Sequence, residues 1–101
     1  MGSRIELQAL LEELLGSRNV YFQPPESIRM KYPAIVYSLN NIEKFHASNE
    51  IHKQNVAYTI AYIDEDPDSE NVEKISKLPY CNFDRFYTSD NLNHYIFTIY
   101  Y

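Results

Sequence analysis

The chain has 101 residues, 45% of them apolar, with a formal charge of −5, one cysteine, two glycines, ten tyrosines and no tryptophan. That length suits one domain rather than two, and so many apolar residues exclude a disordered linker. The charge argues against a protein whose main task is to grip nucleic-acid phosphates, and the lone Cys81 excludes an internal disulfide framework and fits a reducing compartment.

Taken in chain order, Leu7, Leu10, Leu11 and Leu14 recur at helical spacing behind a Ser3/Glu6 capping-box pattern, and Gly16 is placed to end the helix. "NVYFQ" reads as a short strand stopped by Pro24 and Pro25. A proline-bounded loop follows, carrying Ile28, Met30 and Tyr32 among its charges, and then a second strand, "AIVYSLNN". Residues 42–50 are polar and without period, which predicts a long variable loop. In "KQNVAYTIAYID", Val56, Tyr58, Ile60 and Tyr62 alternate with Ala57, Thr59, Ala61 and Ile63. Neither set is polar, so both faces of this third strand should be covered. Two helices can cover one, leaving the other for a second sheet or another subunit.

Asp66 is a candidate N-cap, Pro67 a first helical residue, and Val72, Ile75 and Leu78 the buried stripe of a second helix. "YCNFDRFYTS" and "HYIFTIYY" complete the chain as two strands, and the amides of "DNLNHY" between them favour a turn. The order α-β-β-β-α-β-β predicts a single α+β domain, a mostly antiparallel sheet with two short helices packed on one face.

Chemistry is thinly represented. Asp64, Asp66, Asp68 and Glu70 alternate as calcium ligands do, but such a loop needs glycine where Ser69 stands and glutamate where Ile75 stands. His46, His52, Cys81 and His94 lack the close pairing of a zinc site, and Cys81 alternates with Phe83 as a small buried thiol would. Without a glycine-rich loop no phosphate cradle forms. The expectation is therefore no catalytic residue, no cofactor and no metal. No apolar run reaches the ~20 residues that span a bilayer and "MGSRIELQ" has no signal-peptide pattern, so no membrane partner is expected. Ten tyrosines in so small a domain point instead to a protein interface.

The segments "VYFQPPESIRMKYPAIVYS", "YIDEDPDSENVEKISKLP" and "CNFDRFYTSDNLNHYIFTIYY" resemble a small protein encoded among the morphogenesis genes of tailed bacteriophages and prophages, in the tail terminator (tail completion) group. The resemblance covers residues 20–101 apart from the loop at 42–50. It implies a virion structural protein without enzymatic activity, a ring, commonly a hexamer, at the head–tail junction. That ring would cap the tail tube protein and join it to the head connector or adaptor protein, after assembly in the host cytoplasm. DNA would pass through its lumen without specific binding, helped by acidic lining. The interface residues expected on the tyrosine and loop argument are Ile28, Met30, Tyr32, Tyr58, Tyr62, Tyr100 and Tyr101. Another neck protein, such as a head-completion or connector-joining ring, is the alternative within that class. A monomeric intracellular binding module or small enzyme is the alternative outside it.

Overall fold

The computed structural model describes residues 4–25, 29–47 and 50–101, and for residues 41–55 it describes the backbone. Its elements run α1 (Arg4–Leu15), β1 (Val20–Phe22), β2 (Ala34–Ala47), β3 (Glu50–Asp64), α2 (Glu70–Ser76), β4 (Cys81–Ser89) and β5 (Leu92–Tyr100). The five strands form one sheet in the order β1-β2-β3-β5-β4, with β1 parallel to β2 and every other pair antiparallel. This is the α+β arrangement that the element order predicts.

Helix α1 buries Leu7 and Leu11 completely, with Leu10 and Leu14 packed beside them. Each buried leucine contributes about 1.5–3 kcal/mol, which a twelve-residue helix needs because it is marginal alone. Gly16 ends it at φ 76°, its N–H bonded to the Glu12 carbonyl at 2.9 Å.

Opposed residues in an antiparallel pair share a face, so the register sorts the sheet. Ile35, Tyr37, Tyr58, Ile60, Tyr62, Phe97 and Ile99 lie on the face that receives Leu7, Leu11 and Ile75 from the helices. Polar tips on this face are tied down. The Tyr37 hydroxyl donates to Gln8 Oε1 at 2.5 Å, and Gln8 Nε2 donates to the Val20 carbonyl at 3.0 Å, locking α1 to β1 and β2. Ala34, Ala57, Ile63 and Ile96 are also buried but stand outside this core, because they belong to the opposite face.

Three sequence expectations need correction. Within the loop expected over residues 42–50, residues 42–47 and 50 are strand: the β2–β3 ladder continues from Ile42↔Val56 to Ala47↔Glu50. The second strand does not end at Asn40-Asn41 either; the register shifts there and the ladder resumes, with Asn40 Nδ2 donating to Thr59 Oγ1 at 3.0 Å. Helix α2 is capped by Ser69, whose Oγ accepts from Asn71 N, and not by Asp66. Asp66 instead accepts from the N–H of Asp68 at 2.9 Å, a local turn that competes with helix initiation.

Candidate assembly surfaces

Two of the expected interface tyrosines are core residues. Tyr62 is fully buried and Tyr58 only 7% exposed, because their face of β3 is the one under the helices. Tyr32 and Tyr100 are each 37% exposed, Met30 is half-buried, and Tyr101 is half-buried against the edge of the core. Ile28 lies outside the described residues.

Tyr62 anchors a polar network where β3 meets α2. Its hydroxyl donates to Asp64 Oδ2 at 2.5 Å, lies 2.7 Å from Ser69 Oγ and accepts from Asn71 Nδ2 at 3.1 Å. Asp64 is buried, and its second oxygen accepts from the Asp66 N–H at 3.0 Å. Burial, and then the bond to Asp64, push the Tyr62 hydroxyl above its ordinary pKa. Two of the acids that alternate like calcium ligands, Asp64 and Asp66, thus shape the β3–α2 connection by accepting these bonds. Among the described residues no group of three or more His, Cys, Asp or Glu could hold a metal ion, and no helix is long and apolar enough to cross a membrane.

Cys81 and His94 do not meet. Cys81 pairs with Ile99 on the helix-covered face, where burial pushes its thiol up to about 11. His94 pairs with Tyr87 on the other face and stacks on its ring, centroids 4.6 Å apart at 10°. The "DNLNHY" stretch is a two-residue hairpin turn: Asp90 and Asn91 have φ of 53° and 64°, flanked by the Ser89↔Leu92 pair. Two successive positive φ values make it the primed turn that matches strand twist, and Asn and Asp tolerate it best. Beside it, Thr88, Ser89, Asp90, Asn91 and Asn93 line a shallow polar hollow of about 450 Å³.

Three surfaces remain that the chain does not fully cover with its own described residues. The first is the arm formed by residues 42–47 and 50–55. At about 3.3 Å per residue its six residues per strand carry the ladder roughly 20 Å past the body, toward the long dimension of a 51 × 27 × 23 Å molecule. Among the described residues neither outer edge of the arm has a strand neighbour, since β1 pairs only with 35–37 and β5 with 57–64.

The second surface is β4, an edge strand. Phe83 is 55% exposed and Phe86 48%, although both reach inward rings, Phe83 to Phe97 at 5.5 Å and Phe86 to Tyr95 at 4.9 Å. Helix α2, at seven residues, is too short to cover them. These phenylalanines are three apart in sequence yet share a face, because the register shift between Phe83 and Arg85 makes Asp84 an extra residue. The third surface is the helix-free sheet face, which is covered in part: Ala34, Ala57, Ile63 and Ile96 on it are buried, and the residues between them are half-buried. Its middle is small or β-branched (Val36, Thr59, Ala61 and Thr98), with Tyr100 at one end and the Tyr87–His94 stack at the other.

The chain matches no protein-family model and no curated protein.

Proposed function

We propose that this chain is a ring-forming structural subunit at the head–tail junction of a long-tailed bacteriophage or prophage, capping the tail tube and joining it to the head connector. The observation that carries the proposal is the arm. A strand pair extended about 20 Å beyond the body leaves the outward backbone donors and acceptors of its two edges without a neighbouring strand among the described residues, and pairing with another molecule satisfies them. The helix-free face adds a second, partly covered surface that carries no helix, which suits a subunit packed between neighbours. The resemblance of the segments around the loop to tail terminator proteins supplies the setting in which such subunits work. With a charge of −5, a lumen lined by acids passes DNA by repulsion rather than holding it.

The mechanism is assembly. Unlike edges of successive subunits join head to tail until the ring closes, and the two ends of the ring meet tube and connector. Removing the gene from a genome that encodes it tests this directly. A tube without its cap has nothing to stop its growth, so the expected particles are unjoined heads and tubes of uncontrolled length, restored by supplying the gene in trans. Joined particles with tails of normal length would overturn the reading.

A further inference from the structure

Resting on the ring reading, we infer that the arm of one subunit docks along the outer edge of β4 of the next, adding a strand to its sheet. The sheet offers two edges, β1 and β4. Strand β1 is only three residues long and runs into Pro24 and Pro25, which blunts it as a template. Strand β4 has nine residues and no proline or lysine.

The register shows which part of β4 is open. The pair flanking a two-residue hairpin turn exchanges both backbone bonds, so Ser89 and Tyr87 point their N–H and C=O toward β5. Phe86 and Thr88 therefore point theirs outward, beyond the irregularity at Asp84 that bends the strand's first half. The template is the straight stretch Arg85–Ser89, matched by the uninterrupted Ile42–Phe45 run of the arm's β2 side. The exposed fractions of Phe86 and Tyr87, at about 200 Å² per aromatic side chain, offer roughly 180 Å² of ring surface.

That is less than half of the ~800 Å² per partner found in stable complexes. One junction is therefore weak, and closure, which engages both the arm and the edge of every subunit, makes the assembly stable. The arm and the edge are different surfaces, so the contact is heterologous and leads to a ring rather than a pair. An edge-to-edge pairing of two β4 strands would stop at a dimer and leave both arms uncovered.

The test uses two full-length variants. In the first, Thr88→Pro removes one outward N–H at an exposed edge position without breaking a bond to β5. In the second, Asn-Gly replaces residues 43–55. Particle masses are read by sedimentation up to millimolar concentration. The expected result is a closed oligomer for the unaltered chain, and at least ~10-fold weaker self-association for each variant alone. An equimolar mixture forms a heterodimer and stops there, one variant lending its arm and the other its edge. Circular dichroism confirms the fold; should Thr88→Pro lose it, Thr88→Lys at the same position blocks the edge by charge. Unchanged oligomers in the edge variants, a mixture that stays monomeric, or a monomeric unaltered chain overturns the docking. Oligomers that survive the edge variants but not the arm replacement refute β4 as the acceptor while leaving the ring reading standing. Assembly as described by a protein absent from virions refutes the ring role and leaves the docking.

Discussion

Replacing Tyr62 with phenylalanine tests whether the polar network under α2 holds the fold together. The substitution keeps the ring, which is fully buried, and deletes only the hydroxyl. Ser69 Oγ still accepts from Asn71 N at 3.2 Å, so the helix cap survives. The loss falls on Asp64, a buried carboxylate that keeps its bond from the Asp66 N–H, and on Asn71 Nδ2, whose bond to the hydroxyl goes with it. Depriving a buried charged group of a bond costs about 2–3 kcal/mol. At 4–8 °C per kcal/mol for a domain of this size, the melting temperature should fall by roughly 10–20 °C. Asp64→Asn should cost less, about 1 kcal/mol, because the amide oxygen still accepts one of the two bonds. The double variant should then lose at least ~1 kcal/mol less than the sum of the singles. Urea unfolding of the four chains measures all three quantities. A Tyr62→Phe loss within ~0.5 kcal/mol, or strict additivity, refutes the reasoning.

Gly16→Ala should destabilise by about 1–2 kcal/mol in urea unfolding. The added methyl meets nothing within 4 Å, so the cost is the left-handed backbone alone. Cys81, whose thiol is pushed from 9.0 up to about 11, should alkylate with iodoacetamide ~100-fold more slowly in the folded chain than in the urea-unfolded one. The thiol is held neutral in the fold, so stability from this group is complete below pH 9 and declines as pH rises through 11. Melting curves across that window should show the decline, and Cys81→Ser should reduce it. Replacing residues 43–55 with Asn-Gly should leave the melting temperature of the monomer within ~5 °C, because the described core lies outside the arm. A cooperative loss of the whole fold would show that the arm belongs to the body.

Much of this architecture is legible in the sequence where burial imposes a period. The leucines of α1, the alternation of β3 and the turn at Asp90 and Asn91 each carry their own signal and each forms as expected. The arm carries none. A strand pair that leaves the body has no core to alternate against, so residues 42–50 read as loop although the backbone of 42–47 and 50 pairs. The tyrosines show another limit. Alternation places Tyr58 and Tyr62 on one face of β3, but not which face the helices take, and the helices take theirs. Exposure of Phe83 and Phe86 was equally hidden, since the extra residue at Asp84 breaks the two-residue period that would have put them on opposite faces.

Gold-labelled antibody against this chain, applied to intact particles of the phage or prophage that encodes it, tests the central claim most directly. Label confined to the neck, between head and tail tube, is the expected result. Particles with label elsewhere, or with none while the detached neck also stays unlabelled, would contradict it.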